Sequence, residues 1–256
     1  MRVDEHTIEL AGSPVFLRRA PAPAPAPLYL HGAPTSSDDW MPLLERTGGI
    51  AVDLPGFGRT GKGGHLDLTP AGQASLLGEL LDHLEIRRVR LVAHDWGAAA
   101  ALQLTQARPQ AVAGIVLINP LGPGSDPRRL ARLLRAPLIG ELTVGSISRR
   151  MLARGIRRAS TAAAWPDERL AAVWEQFDQG TQRALLRLAR APAGVPVPPP
   201  SVPTTLVLGA EDPWSAAGWW TERLPFAEWH ELPDARHWPW LESPAAAERI
   251  AALLAP

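Results

Sequence analysis

The feature that most constrains this chain is a series of short, uninterrupted apolar runs that alternate with longer amphipathic stretches. Runs of this kind are typical of strands that are covered on both faces, as in a parallel sheet. The predicted strands are residues 15–19, 28–30, 50–53, 89–93, 115–119, 205–209 and 227–231, and the predicted helices between them are residues 69–84, 98–107 and 244–254. This alternation predicts an α/β fold with a mostly parallel central sheet flanked by helices.

A segment in the middle of the chain interrupts this alternation. Residues 121–200 contain thirteen Arg against six Asp or Glu, a strong positive surplus in a chain of zero net charge. Short helices are predicted there over residues 126–134, 142–158 and 168–189, before a Pro-rich linker over residues 191–201. We therefore predict a core made of residues 1–120 and 201–256, with a helical lid inserted at residues 121–200.

Composition argues against several kinds of partner and site. The 26 Lys or Arg residues balance 26 Asp or Glu residues, which does not favour a nucleic-acid binder. The chain has no Cys, and so has no disulfide, no thiolate nucleophile and no Cys-type metal site. No His pair has convincing metal-ligand spacing and no loop resembles a phosphate cradle, so we predict neither a metal nor a cofactor.

The first residues and the hydropathy of the chain predict where the protein is located. The first ten residues are charged and lack the apolar centre of a signal peptide. A run of about 18 apolar residues, which a membrane span requires, does not occur. We expect a soluble cytoplasmic protein that acts on a small organic molecule and water, and the oligomeric state is not predicted.

Polar or glycine-containing segments follow four of the predicted strands. They comprise residues 31–34, 94–97, 209–212 and the loop 232–237. The carboxyl ends of parallel strands meet at one edge of the sheet, where open α/β sheets bind their ligands, so we expect one shared site. Ala93 and Gly97 lie two residues before and two after Asp95, a spacing that a sharp strand–turn–helix elbow requires. Such an elbow would expose the side chain of Asp95.

In these segments the sequence resembles the α/β-hydrolase superfamily, and within it the aspartate-nucleophile branch that holds haloalkane dehalogenases and epoxide hydrolases. The motifs that carry the resemblance are His-Gly-Ala-Pro at 31–34, Asp-Leu-Pro-Gly-Phe-Gly at 53–58, His-Asp-Trp-Gly at 94–97, Gly-Ala-Glu-Asp at 209–212, and His237. They occur in the order of the family over nearly the whole chain. Residues 31–40 are particularly close to dehalogenases, which typically have Asn at the position of Ala33.

The resemblance implies a catalytic triad in which Asp95 is the nucleophile, His237 the base and Asp212 the acid that orients the base. The backbone N–H groups of Ala33 and Trp96 would form the oxyanion hole. A carboxylate has a pKa of about 4 in water, so it is ionised at neutral pH and can displace a leaving group without a base. His237 would then activate the water molecule that hydrolyses the resulting ester.

Each of these assignments has an alternative in the sequence. Asp95 as a structural carboxylate at a helix N-terminus is the alternative to a nucleophile. Asp212 competes with Glu211, and also with an acid after the preceding strand, where this chain has Asn119 and therefore no charge. His230 is the other late histidine, but it falls inside a predicted strand.

The choice between the two activities depends on the residues that receive the leaving atom. Epoxide hydrolases of this branch protonate the epoxide oxygen with two lid tyrosines, whereas Tyr29 is the single Tyr of this chain and lies outside the predicted lid. A halide instead needs N–H donors in an apolar pocket, and indole donates without carrying charge. Trp96 stands where dehalogenases place a halide-binding Trp. Trp165 and Trp174 are the lid candidates for a second donor.

We therefore rank a haloalkane dehalogenase-like hydrolase first and an epoxide hydrolase second. A ligand-binding α/β-hydrolase with little turnover is the alternative from a different class. The Arg surplus of residues 121–200 also leaves open the recognition of a carboxylate or phosphate group on the substrate.

Overall fold

A computed structural model describes residues 1–121, 133–191 and 202–255, and these residues form an eight-stranded sheet. Its strands are β1 (Asp4–Leu10), β2 (Ser13–Ala20), β3 (Pro27–Leu30), β4 (Gly49–Val52), β5 (Val89–Asp95), β6 (Val112–Pro120), β7 (Thr204–Gly209) and β8 (Glu228–Leu232). The order across the sheet is β1-β2-β4-β3-β5-β6-β7-β8. Strand β2 pairs antiparallel with β1 and β4, and the other neighbouring pairs are parallel. This confirms the predicted fold class.

Helices cover both faces of the sheet. The described helices are α1 (Met41–Thr47), α2 (Pro70–His83), α3 (Gly97–Ala107), α4 (Ile139–Gly145), α5 (Arg149–Ala159), α6 (Asp167–Gln176), α7 (Gln179–Arg190), α8 (Ala217–Arg223), the single turn α9 (Pro239–Glu242) and α10 (Pro244–Leu253). Residues of α2 and α3 share one buried cluster, and residues of α1 and α10 share the other. Among the described residues, no helix is both long enough and apolar enough to cross a membrane.

The two-residue period of the strands divides the core between these faces. In β3, Leu28 and Leu30 belong to the cluster that contains α2 and α3, whereas Tyr29 points to the cluster that contains α1 and α10. Successive side chains of a strand point to opposite faces, so an uninterrupted apolar run requires apolar cover on both. The short apolar runs of the sequence predicted this arrangement correctly.

The predicted helices of the core begin at recognisable capping residues. The hydroxyl of Thr69 accepts a hydrogen bond from the backbone N–H of Gly72 at 3.2 Å, with Pro70 at the first helical position of α2. Ser243 and Pro244 repeat this arrangement at the start of α10. A side-chain oxygen at the cap satisfies a donor that the helix leaves free, and Pro at the first position loses no hydrogen bond.

Strand β1 and the short helices α1, α8 and α9 of the core were not predicted. Strand β1 is almost wholly exposed, so it has no buried face that would produce an apolar alternation. Its position comes from a hairpin with β2, through a turn in which Ala11 and Gly12 have φ angles of 52° and 69°. Helix α1 is only seven residues long, and its short apolar pattern gives little periodicity to detect.

The four helices α4 to α7, hereafter the insertion helices, correct two predictions for the middle segment. The predicted helix 142–158 is split where α4 ends and the Ser148 hydroxyl caps α5 by accepting from the N–H of Met151. The predicted helix 168–189 is split where the Asp178 carboxylate accepts from the N–H of Thr181 at the start of α7. Ser and Asp are strong N-caps, so each begins a new helix rather than continuing the old one.

The other two predictions for this segment fall largely outside the described residues. The predicted helix 126–134 and the predicted linker 191–201 lie almost entirely within residues 122–132 and 192–201, which the structure does not describe.

Candidate active site

The end of β5 turns sharply into α3, and Asp95 occupies the turn. Its φ angle is 53°, in the left-handed region that Asp tolerates better than most residues because its short polar side chain bonds locally. A Cβ atom at Gly97 would lie 2.5 Å from the carbonyl oxygen of Leu30 and 2.6 Å from that of His31. The turn therefore requires Gly97, as the elbow spacing predicted, and it places Asp95 at the carboxyl edge of the sheet.

The two carboxylate oxygens of Asp95 have different surroundings. Oδ2 accepts a hydrogen bond from the backbone N–H of Ala33 at 2.8 Å. Oδ1 lies 3.6 Å from Nε2 of His237. A Cβ atom at Gly32 would collide with the Asp95 carboxylate, so the glycine allows the loop to approach this closely. One oxygen is thus held by the loop, and the other faces the imidazole ring.

His237 is joined to Asp212 on its other side. Nδ1 of His237 donates to Oδ2 of Asp212 at 2.9 Å, and Oδ1 of Asp212 accepts from the N–H of Trp214 at 2.9 Å. The side chains of His237 and Asp212 are both buried. The structure therefore brings Asp95, His237 and Asp212 into one line, the relative arrangement in which nucleophile, base and orienting acid occur in hydrolase triads.

Burial and charge oppose one another at His237. Burial lowers the pKa of His237, but the nearby charge of Asp212, its hydrogen bond and the interaction with Asp95 outweigh it and raise this pKa to about 9. With both carboxylates ionised, His237 carries a positive charge at neutral pH. The charge state of this ring consequently depends on whether Asp95 carries its own charge.

Two residues hold the loop that carries His237, and the sequence did not identify either in this role. Nδ2 of Asn119 donates to the carbonyl oxygens of Arg236 and His237 at 2.7 and 3.0 Å, and its Oδ1 accepts from the N–H of Gly209 at 2.8 Å. Nε2 of His94 donates to the His237 carbonyl at 2.8 Å. From the sequence, Asn119 was considered only as a position without a charge. Its side-chain amide instead joins strand β7 to the loop that carries His237, hereafter the base loop.

The histidines before Ala33 and Asp95 have structural contacts. His31 donates from Nδ1 to the carbonyl of Gly32 at 2.7 Å and accepts at Nε2 from the N–H of Leu54 at 2.9 Å, so its ring is neutral. Burial lowers the pKa of both His31 and His94. His31 therefore braces the loop that supplies the Ala33 N–H.

The predicted tryptophans are not all brought to the same place. Trp96 follows Asp95 directly, at the position before the first residue of α3, and is partly exposed. Trp165 is fully buried and packs edge-on against Trp238 at 4.9 Å between ring centroids, and Trp238 in turn packs against His237 at 4.6 Å. Trp174 stacks on Phe177 at 5.7 Å within the insertion helices. Trp165 is thus connected to His237 through the ring of Trp238, whereas Trp174 makes a packing contact with Phe177.

A buried acid near these rings had no predicted role. Asp39 is 2% exposed, its Oδ2 accepts from the indole N–H of Trp238 at 3.2 Å, and its carbonyl accepts from the indole N–H of Trp240 at 2.7 Å. Burial raises the pKa of Asp39 to about 7, despite hydrogen bonds and the positive charge of Arg169, which lower it. The chain segment after the Ala33 loop is therefore joined to the loop that follows His237.

No group of three or more His, Asp or Glu within the described ranges is arranged to hold a metal ion.

Comparisons with known proteins bear on the family of this chain. The pattern of the alpha/beta hydrolase family matches residues 28–250. A haloalkane dehalogenase of Mesorhizobium japonicum is 36% identical over 130 residues, which cover 46% of this chain and 42% of that relative. The chain thus matches less than half the length of this curated relative.

Solved structures give matches over nearly the full length. The haloalkane dehalogenase DbeA from Bradyrhizobium elkani has a TM-score of 0.79 and 25% identity, covering 99% of this chain and 98% of that one. A Pseudomonas aeruginosa protein, provisionally assigned as an epoxide hydrolase, has a TM-score of 0.83 and 21% identity, covering 98% and 95%. The second likeness shows the fold alone. Since the family pattern spans most of the chain, this protein belongs to the alpha/beta hydrolase family, and its similarities lie with the branch of haloalkane dehalogenase-like and epoxide hydrolase-like proteins.

Proposed function

We propose that this protein hydrolyses an alkyl substrate through an ester of Asp95, and that its substrate is an alkyl halide. The observation that carries the proposal is the position of the Asp95 carboxylate, with Oδ2 on the N–H of Ala33 and Oδ1 facing Nε2 of His237. In the first step Oδ1 bonds to an sp³ carbon, and the halide departs with the electron pair of the bond that breaks. No proton is transferred in this step, so it needs no base.

The second step is hydrolysis of the ester. Nε2 of His237 takes a proton from water, and the water oxygen attacks the carboxyl carbon of Asp95. The negative charge then develops on Oδ2, which already accepts the N–H of Ala33 at 2.8 Å. A preorganised donor of this kind contributes about 3 kcal/mol to the stability of such a transition state. The alcohol leaves with the former Oδ1 and takes a proton from His237.

The pKa of His237 explains why the order of these steps is favourable. In the free enzyme two carboxylates raise that pKa to about 9, so the ring is charged and is a poor base at neutral pH. Esterification removes the charge of Asp95, one of those two carboxylates, and the pKa of His237 falls. The ring therefore becomes an effective base only after the ester has formed, when it is needed to deprotonate the attacking water.

The single Tyr favours a halide over an epoxide as substrate. Tyr29 is buried in β3 and hydrogen-bonds with the hydroxyl of Thr47 inside the core, and burial raises its pKa. A phenol in this position cannot reach the leaving oxygen of a bound epoxide. The epoxide reading consequently lacks the acid that its family mechanism uses.

We further propose Trp96 and Trp165 as the donors that receive the halide. The indole Nε1 of Trp165 is buried and has no hydrogen-bond partner among the described residues. A buried donor without a partner costs about 1–3 kcal/mol, a cost that a bound anion would remove. Ala33 has no side-chain amide, so the second donor has to come from elsewhere, and the packing of Trp174 on Phe177 does not support it in this role.

The predicted lid at residues 121–200 is also retained as a proposal. Its support is a set of contacts from the insertion helices to the loop of the base, including a hydrogen bond of 2.9 Å from the N–H of His237 to the carbonyl of Ala159. These helices would exclude bulk water from the ester.

The test uses the variant His237→Phe, which keeps a planar ring and loses the base. Incubated with a panel of bromoalkanes, the variant should accumulate one alkyl adduct per chain on the peptide that contains Asp95, seen by intact mass and peptide mapping. Wild type should release halide in turnover and produce no diol from matched epoxides. Absence of the adduct with every alkyl halide and epoxide tested would contradict the proposal, and the double variant Asp95→Asn, His237→Phe is the matched control.

A further inference from the structure

The backbone around His237 is held from two directions, by α9 and by the insertion helices. The N–H of Arg236 donates to Oε2 of Glu242 at 2.7 Å, and the N–H of Trp238 donates to Oε1 of Glu242 at 3.3 Å. The N–H between them, that of His237, donates to the carbonyl of Ala159 at the end of α5. Three successive amides are thus all engaged, two by one carboxylate and one by an insertion helix.

Glu242 also bonds directly to the insertion helices. The hydroxyl of Ser160 donates to Oε1 of Glu242 at 2.6 Å, and Ser160 is buried. A second contact runs beside it, from the guanidinium of Arg236 to the carbonyl of Arg158 at 2.6 Å. Arg158 and Ala159 therefore accept from the loop that carries His237, while Ser160 donates to Glu242 on α9. The Glu242 carboxylate accepts from both sides of this junction.

We propose that Glu242 is a positioning residue, which sets His237 relative to the Asp95 ester by joining the base loop to the insertion helices. This inference rests on the proposed function, because it assigns Glu242 to the hydrolysis step of that reaction. Glu242 has no contact with the reacting atoms. Its two carboxyl oxygens accept three hydrogen bonds, from two backbone N–H groups and one hydroxyl.

The proposed reaction separates this role from general stabilisation. The first step uses Asp95 and the Ala33 loop and does not require His237, whereas the second step requires the ring at the correct place. A shift of the base loop should therefore slow hydrolysis of the ester and leave formation of the ester intact. General loss of structure would lower both steps together, in proportion to the fraction of folded enzyme.

Two variants weaken the junction to different degrees. Glu242→Gln keeps the size of the side chain but replaces one acceptor oxygen with a donor, so it faces three donors with a single oxygen. Ser160→Ala removes only the bond from the insertion side and leaves both amide bonds to Glu242. Glu248→Gln, an exposed acid on α10, is the matched control for loss of one negative charge.

The experiment is a rapid-quench measurement of released bromide and of the protein-bound adduct on a bromoalkane that wild type turns over. For Glu242→Gln we expect ester formation at the wild-type rate and hydrolysis slower by about 100-fold, the scale of effect for a small misplacement of a catalytic group. For Ser160→Ala we expect a smaller loss of about tenfold, again confined to hydrolysis. Glu248→Gln should match wild type in both steps.

Three results would overturn the inference. They are an unchanged hydrolysis rate in Glu242→Gln, a parallel loss of both steps, and an effect of Ser160→Ala on ester formation alone. If Glu242→Gln does not fold, Ser160→Ala decides the question by the same split between the two rates. Failure of the proposed function is recognised separately, because His237→Phe would then form no adduct. Without an ester there would be no hydrolysis step that Glu242 could affect.

Discussion

The candidate functional groups at the carboxyl edge of the sheet and those in the segment of the insertion helices differ in their hydrogen bonding. At the sheet edge Asp95, His237 and Asp212 are all buried, and each has a charged or backbone partner within 3.6 Å. In the insertion helices, large apolar side chains such as Leu142 lie exposed, and in the turn between α5 and α6 the buried indole N–H of Trp165 has no partner among the described residues.

This difference indicates a division of labour. A carboxylate nucleophile and its base need defined geometry before substrate arrives, and the parallel sheet supplies it through backbone contacts at the strand ends. Recognition of a leaving group instead needs donors that remain free until the ligand binds. In the proposed reaction the sheet edge would therefore set the reaction type, and the donors contributed by the predicted lid would set the choice of leaving group.

The largest expected effect is at the sheet edge. Asp95→Asn keeps the size of the side chain and its tolerance of the left-handed turn but removes the nucleophile, so turnover should fall by about 10⁴-fold or more. Thermal unfolding should show that the variant remains folded. The loss of one carboxylate should also lower the pKa of His237 from about 9, which NMR titration of the ring would measure. Retained turnover in this variant would remove Asp95 from the mechanism.

A smaller effect on kcat/KM is expected from substitutions at Trp165 and Trp174. The effect should differ between these two residues. Trp165→Phe removes an indole donor while keeping an aromatic ring, and a lost hydrogen bond to an anion corresponds to about a tenfold or greater drop in kcat/KM. Measured on one bromoalkane for both variants, Trp174→Phe should change kcat/KM by less than about twofold, since this ring packs on Phe177. An equal change in kcat/KM for the two variants would contradict the proposal that Trp165 is a donor and Trp174 a packing residue.

The last effect concerns the free energy of unfolding rather than turnover, and it involves Asp39. Burial raises the pKa of Asp39 to about 7, so the folded protein favours its protonated form. The stabilising contribution of this group is complete at low pH, below the ordinary range of Asp, and is lost as pH rises through 7. Asp39→Asn should therefore flatten the dependence of the free energy of unfolding between about pH 4 and 7, by on the order of 4 kcal/mol. Urea unfolding at several pH values measures this, and an unchanged slope would contradict it.

The sequence predicted those parts of the molecule that depend on local patterns. Apolar runs predicted the strands of the parallel sheet, Thr69 and Pro70 predicted the start of α2, and Ala93 and Gly97 predicted the turn at Asp95. In each case the physical cause lies within a few residues of the feature itself. Strand β1 escaped prediction because it has little buried surface and its position comes from its partner strand.

Contacts between distant segments could not be predicted in this way. Glu242 meets Ser160 across 82 positions of sequence, and Asn119 meets Arg236 across 117. Neither side chain belongs to a motif with a known spacing. In the sequence Glu242 resembles a surface acid, and Asn119 resembles a polar residue at the end of a strand. Their roles follow only from the folding of the insertion helices and the base loop against the same edge of the sheet.

The most direct test of an ester on Asp95 is the fate of the oxygen atoms in a single turnover, performed by wild-type enzyme in excess over an alkyl halide in water labelled with heavy oxygen. In the proposed reaction water attacks the carboxyl carbon of Asp95, so the alcohol leaves with an ordinary oxygen from the enzyme. The labelled oxygen should then appear in the peptide that contains Asp95. Label in the alcohol and none in Asp95 would show that water attacks the substrate directly, and would contradict the account.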